Sequence, residues 1–297
     1  MSDLPASQAE NVRGALFMVV SMAAFVVNDA LMKSVSGEVP VFQAVLIRGL
    51  IATALIAAFA AARGQATPRG VSGPDRRRVL VRSLGEIGST VCFLTALFAM
   101  PIANVTAILL ASPLALTLFG AVFLREPVGW RRWSACLLGF LGVLLVVQPG
   151  GEAFRPAALW AVGAVFFVCL RDLVTRRLSS GTPSLFVALA TAVSITAAAG
   201  AATLVEGWTP VSTGALLRLG AAACFVFAGY LFSVMTMRVG DIGFVSPFRY
   251  TIIVWALALG YFVFGDVPNL LAATGVALIV GSGVYAFQRE RTLARRR

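Results

Sequence analysis

The stretch VFQAVLIRGLIATALIAAFAAA, from Val41 to Ala62, carries one charged residue, Arg48, and is otherwise almost wholly apolar. An α-helix rises about 1.5 Å per residue, so a run of this length crosses the roughly 30 Å hydrocarbon core of a bilayer. Read outward from it, the chain repeats the pattern. Further apolar runs lie at Gly14–Leu31, Val79–Ala99, Ile102–Leu124, Trp133–Val147, Phe154–Leu173, Leu185–Val205, Leu216–Met237, Ile242–Phe264 and Leu270–Phe287. The expectation is an all-α integral membrane protein with ten transmembrane helices. Met100–Pro101 and Gly240–Asp241 leave almost no room for a loop. The run at Trp133–Val147 is short for a bilayer.

Composition agrees. Of the 297 residues, 59% are hydrophobic and 12% charged, against about 25% charged in a soluble domain. The net charge of +11 is not a nucleic-acid footprint, because the arginines sit in gaps between apolar runs and form no stripe with aromatic residues. No cleavable leader is expected: Met1 to Arg13 is polar, and the apolar run that follows is too long for a signal sequence. Arginines crowd alternate gaps: Arg63, Arg69, Arg76, Arg77 and Arg78; Arg125, Arg131 and Arg132; Arg176 and Arg177; Arg238; and Arg289 through Arg297. The opposite gaps hold few charges, among them Glu38, Glu152, Arg155, Glu206 and Asp266. The positive-inside rule then places both termini in the cytoplasm of a bacterial inner-membrane protein.

Catalytic chemistry finds little purchase. There is no histidine, and Cys92, Cys136, Cys169 and Cys224 lie singly within apolar runs, so they read as small hydrophobes and no metal site, disulfide or cofactor is expected. A membrane-embedded lipid-modifying enzyme is the alternative from another class, and it lacks a nucleophile dyad or closely paired carboxylates. Trp130, Trp133, Trp160 and Trp208 fall near helix ends, as interfacial anchors do.

The chain also divides near Pro149–Gly151. Asp29, Lys33 and Pro40 in the first part recur with the same spacing as Asp172, Arg176 and Pro183 in the second. Arg125-Glu126-Pro127 and Gly265-Asp266-Val267-Pro268 precede the last run of each part. Residues 1–148 and 149–297 therefore read as two five-helix repeats. An odd number of spans inverts the second relative to the first, the usual build of a secondary transporter.

Ser112-Pro113-Leu114, Leu124-Arg125-Glu126-Pro127, Trp133 and Gly139-Phe140-Leu141-Gly142-Val143 together resemble the EamA-type signature of the drug/metabolite transporter superfamily. The signature returns more loosely as Phe264-Gly265-Asp266-Val267-Pro268, Gly275, Ile279 and Gly281-Ser282-Gly283, with Asp266 where Glu is usual; Arg48 resembles an arginine often found in the family's second helix. The resemblance implies a 5+5 inverted repeat around a central cavity lined by the third, fourth, eighth and ninth spans. The overall look is similar to amino-acid exporters, including those for aromatic amino acids. The expected function is transport of a small metabolite by alternating access, most simply export of an amino acid, neutral or aromatic, by a monomer, with a vitamin, nucleoside or drug-like compound, imported or exported, as the alternative cargo.

Charges inside hydrocarbon mark where such a carrier works. Glu86 is offered to a substrate ammonium or a coupling proton, or else forms a helix-end pair with Arg82, four residues earlier. Arg249, in Ser246-Pro247-Phe248-Arg249-Tyr250-Thr251, presents a planar fork that matches a carboxylate, unless a neighbouring helix locks it. Pro247 removes a backbone donor and bends its helix. Thr90, Phe93, Tyr230, Ser246, Tyr250 and Trp255 complete the expected substrate set, and Ser89, Asn104 and Thr106 extend a polar path. Asp29 with Lys33, Asp172 with Arg176, and Arg48 are assigned to gates or structural ion pairs, with Asn28 adding hydrogen bonds near the first.

Overall fold

A backbone in hydrocarbon has no water to bond, so each crossing segment must satisfy its own N–H and C=O groups. In the computed structural model, which describes residues 8–67, 71–123, 129–150, 154–179, 181–239 and 242–294, every crossing segment does so as helix. The elements are α1 (Gln8–Ser34), α2 (Val41–Ala62), α3 (Gly73–Ala99), α4 (Ile102–Leu110), α5 (Ser112–Phe123), α6 (Trp130–Val147), α7 (Ala157–Thr175), α8 (Ser184–Glu206), α9 (Thr213–Val239), α10 (Ile242–Val245), a 3-10 segment (Ser246–Thr251), α11 (Ile252–Phe264) and α12 (Leu270–Ala294). By length and composition, 8 helices among the described residues can cross a membrane, and two shorter apolar ones, Trp133–Val147 and Leu270–Ala286, accompany them. The protein is an all-α, multi-pass membrane protein, with the ten apolar segments that the hydropathy pattern predicts.

Two spans are broken, each at a proline. Ala111 ends α4, and Pro113 sits in the first turn of α5. In the ninth span, Pro247 stands at the start of a 3-10 turn that separates α10 from α11. The charged turn Arg125-Glu126-Pro127, Gly240–Asp241, Gly151, Glu152, Arg69 and the terminal Arg295, Arg296 and Arg297 lie outside the described residues.

Contacts divide the chain into two compact units. One comprises Met1–Ala30, Pro101–Phe154 and Ala228–Arg297. Within it α6 packs along α12, and α4 against α11. Gly142 and Gly275 bring α6 and α12 together: a methyl group on Gly142 would stand 2.7 Å from the carbonyl oxygen of Gly275, and one on Gly275 would stand 2.6 Å from that of Gly142. Small residues of this kind let membrane helices approach backbone to backbone. Gly265, at φ +68°, ends α11 in the left-handed conformation that a side chain disfavours.

The other unit comprises Leu31–Met100 and Arg155–Phe227. Here α3 packs along α7, and α2 along α8. Gly49 makes the second contact possible, since a methyl there would meet Thr196 Oγ1 at 2.5 Å. Thr53 and Thr196 share a hydrogen bond of 3.1 Å nearby. Ser72 caps α3 through the N–H of Asp75 at 3.2 Å. The buried Asp75 carboxylate accepts from Arg78 at 2.8 Å, Ser179 Oγ at 2.6 Å and Thr182 Oγ1 at 3.2 Å, which ties the α7–α8 turn to the start of α3. At the other end of α3, Lys33 Nζ donates to the carbonyls of Leu97 (3.2 Å) and Met100 (2.6 Å), where the helix dipole favours a cation. Arg218 on α9 donates to the Ser34 carbonyl and to Glu38, which also accepts from Ser212.

Candidate functional site

The polar residues that face hydrocarbon depth fall into two groups, one in each unit. In the second unit the group is built on one stripe of α3. Arg82, Glu86, Thr90 and Phe93 recur at helical spacing, so they share a face. Gly85 and Gly88 lie beside them and open the way for α7: a methyl at Gly85 would stand 3.3 Å from Arg171 Cβ, and one at Gly88 would stand 2.5 Å from the Phe167 ring. Arg171 is thereby delivered to Glu86. Its Nη1 donates to both Glu86 oxygens at 3.2 Å, while its Nε donates to Asp172 Oδ1 at 2.8 Å.

Arg82 approaches Glu86 at 3.7 Å and donates to Thr175 Oγ1 at 3.1 Å and Thr191 Oγ1 at 2.5 Å. The cluster balances two guanidinium groups against two carboxylates. Glu86 is buried, at 8% exposure. A buried charge cluster holds only when its members satisfy one another, and these do. The expected Arg82–Glu86 pair is present, but it is the weaker contact of Glu86.

The expected Asp172–Arg176 pairing is corrected. Asp172 pairs with Arg171, whose guanidinium is drawn across it by Glu86, and Arg176 closes α7 with its backbone N–H on the Asp172 carbonyl and its side chain exposed. Sequence reasoning passed over Arg171, because spacing rules weigh i,i+4 partners on one helix and Glu86 lies on another. The sign available was a third charge, Arg171, just inside the end of an apolar run.

Of the other ion-pair candidates, Asp29 accepts from Asn28 Nδ2 at 2.9 Å, Lys33 serves the end of α3, and Arg48 is half-buried on α2. Thr90 and Phe93 are half-buried, one and two turns beyond Glu86.

The first unit holds Tyr230, Ser246, Arg249, Tyr250 and Trp255. Pro247 and the 3-10 turn around it set Ser246, Arg249 and Tyr250 apart from ordinary helix. A 3-10 turn has three residues per turn and weaker hydrogen-bond geometry. Thr251 Oγ1 closes it by donating to the Phe248 carbonyl at 2.7 Å. Arg249 is exposed and makes no hydrogen bond or ion pair among the described residues. Inserting an arginine into a membrane span costs about 3 kcal/mol, and no acidic side chain among the described residues is paired with this one.

Tyr250, next to it, is buried against Gly283 on α12, its ring end occupying the place where a Cβ would be. Trp255, at 38% exposure, follows on α11. Tyr230 packs edge-on against Phe25 with ring centroids 5.4 Å apart. Ser246 is half-buried at the head of the turn. Two further polar atoms, Asn104 Oδ1 and Thr106 Oγ1 on α4, are buried without a hydrogen-bond partner among the described residues. Among the described residues, no group of His, Cys, Asp or Glu has the makings of a metal site.

A profile of the EamA-like transporter family matches residues 12–148 and again residues 155–287. A riboflavin transporter of Vibrio cholerae is 30% identical over 294 residues, covering 96% of this chain and 96% of that protein. A pseudopaline exporter, CntI, of Pseudomonas aeruginosa is 29% identical, covering 90% of this chain and 93% of its own. An S-adenosylmethionine uptake transporter of Rickettsia prowazekii is 20% identical, covering 94% of each. None of the three is named for a free amino acid, so the comparisons support a small-metabolite transporter and lend no support to the expected amino-acid cargo.

Proposed function

This chain belongs to the EamA-like transporter family, and from that membership we propose that it carries riboflavin, or a planar heteroaromatic metabolite of similar size, across the bacterial inner membrane by alternating access. The observation that carries the reading is Arg249: an exposed guanidinium inside a membrane-spanning segment, on a proline-broken turn, with no protein partner among the described residues. Such a group must be met by something that enters. Its planar fork donates two parallel hydrogen bonds, which fit the adjacent carbonyl and ring nitrogen of a flavin's pyrimidine edge as well as they fit a carboxylate. A hydrogen bond from a charged donor contributes about 1.5–3 kcal/mol. Trp255 and Tyr230, both exposed, supply ring surface for the tricycle, and Ser246 an acceptor and donor for the hydroxylated chain. The 30% identity to a riboflavin transporter over 96% of both chains points the same way.

Glu86 has a different part in this reading. With no substrate ammonium to hold, it is the internal counter-ion of Arg82 and Arg171, and it keeps α3, α7 and α8 in one rigid piece.

The two sequence halves are inverted repeats. Counted as spans, α2 pairs with α8 (second with seventh), α4 with α11 (fourth with ninth) and α6 with α12 (fifth with tenth). Each pair joins a span to the one five later, and the Gly142–Gly275 contact is reciprocal. Both are what a pseudo-two-fold axis requires. The working unit is a monomer with both termini in the cytoplasm. Gradients set the direction of net flux.

The test is flux in proteoliposomes. Saturable riboflavin movement is expected, competed by flavins and indifferent to neutral amino acids. Arg249→Ala is expected to cut it at least tenfold while the protein still inserts and elutes as a single species. Absence of riboflavin flux, or full flux in Arg249→Ala, sinks the assignment.

A further inference from the structure

Gly283 sits on α12, a helix that contributes none of the residues assigned to the cargo, yet it touches one of them. The outer end of the Tyr250 ring lies directly over it: a methyl group there would overlap the hydroxyl oxygen and stand 2.5 Å from Cζ and 2.8 Å from Cε1. Carbon atoms in ordinary contact are about 3.5–4.0 Å apart. The slot is therefore shaped by the absence of a side chain. Tyr250 is buried at 9% exposure, so its ring has little room to swing aside.

The ring in the slot belongs to a segment that does not fix itself. The 3-10 turn Ser246–Thr251 is one short piece between α10 and α11, with strained hydrogen-bond geometry and a proline near its start. Arg249 immediately precedes Tyr250, so whatever holds the Tyr250 ring also fixes the turn on which the Arg249 guanidinium is carried. Other close-approach glycines do something else. Gly142 and Gly275 meet backbone, Gly49 meets Thr196, and Gly229 meets the Phe25 ring; none of those partners adjoins Arg249.

We infer that Gly283 is a positioning residue: by seating the Tyr250 ring it locks the 3-10 turn in the register that holds the Arg249 guanidinium exposed to the cargo. The inference rests on the transport role of Arg249 for its meaning, though its geometry can be tested without any transport.

The experiment replaces Cys92, Cys136, Cys169 and Cys224 with alanine, introduces Arg249→Cys, and measures the rate at which a maleimide modifies position 249 in purified, detergent-solubilised full-length protein. Adding Gly283→Ala is expected to slow that rate about tenfold. In a Tyr250→Leu background, where the slot has no ring to hold, Gly283→Ala is expected to change nothing, the signature of two residues acting as one. If Gly283→Ala alone fails to fold, the comparison of Tyr250→Leu with Tyr250→Leu/Gly283→Ala decides: equal rates support the inference and unequal rates overturn it. Unchanged labelling with Gly283→Ala in the Tyr250 background also overturns it. Riboflavin flux is read in parallel on the protein with Arg249 intact, where Gly283→Ala should raise KM more than it lowers the maximal rate. No flux in the unsubstituted protein removes the riboflavin reading, while the labelling result still decides the positioning role.

Discussion

Glu86 is held by two arginines and is itself the smaller share of the charge around it. Removing it leaves Arg82 and Arg171 facing each other in a site of low dielectric, and uncompensated buried charge is the costly outcome. Glu86→Gln should therefore destabilise the protein by about 3 kcal/mol, read as a clear fall in the thermal midpoint in detergent. The double variant Glu86→Gln/Arg171→Met should lose less than Glu86→Gln alone, because it removes a charge together with its counter-ion. A double variant as unstable as the sum of its parts would show that Arg171 and Glu86 do not act as a pair. Arg249 is the opposite case at the same scale. Its substitution should not lower the midpoint, since Arg249 makes no hydrogen bond or ion pair among the described residues.

At the scale of elements, two contacts make distinct predictions. The α6–α12 pair closes over Gly142 and Gly275 at distances that leave no space for a methyl group. Gly142→Leu should force the helices apart and cost stability by overpacking, about 1–3 kcal/mol, whereas Gly150→Ala, where nothing lies within 4 Å but φ is +79°, should cost about 1 kcal/mol through backbone strain alone. Thermal unfolding of the two variants in the same detergent checks the ranking.

The second contact is the clasp between the α1–α2 connection and α9. The hydrogen bond from Arg218, with a lesser one from Ser212, holds the Glu38 carboxyl below its ordinary pKa. A carboxylate whose pKa is depressed by folding contributes stability above its unfolded pKa and loses that contribution as pH falls through the folded value. The midpoint difference between the parent and Glu38→Gln should thus be present at neutral pH and shrink as the pH falls below the ordinary carboxylate range. A difference that persists in acid would assign the clasp's effect to packing.

The elements themselves were legible in the sequence. Val41–Ala62 agrees with α2 at both ends, α3 differs from the run at Val79–Ala99 only by a polar entry, and α1 extends the run at Gly14–Leu31 by polar residues at both ends. A polar first turn lies outside any hydropathy window, yet it forms helix as readily as an apolar one. Pro247 announced the break in the ninth span. What the sequence withheld was partnership. Hydropathy gives each helix a length and no address, so neither Glu86 with Arg171 nor Gly283 under Tyr250 could be read before the helices were placed beside each other. The cargo was equally illegible: a guanidinium fork donates to a carboxylate and to a flavin edge alike.

At the scale of the molecule, each compact unit draws on both halves of the chain. The unit that holds α6 and α12 cannot finish folding until the last span is made, so a truncation before α12 should leave α6 unpartnered and the product a substrate for membrane proteases, measured as its half-life in cells. The arginine bias across alternate gaps sets the frame for insertion. A fluorescent protein fused after Arg297 should fluoresce, and alkaline phosphatase fused there should be inactive. The reverse result would invert the orientation proposed for the whole chain.

The reciprocal contact of Gly142 and Gly275 has a consequence for inheritance. Each glycine's missing side chain is the space taken by the other's carbonyl, so a substitution at either codon is felt at both. In a lineage of such genes both codons should stay fixed, because what blocks each position is the other's main-chain carbonyl, which no substitution there removes. A larger residue can enter only after the two helices have been re-spaced by changes elsewhere.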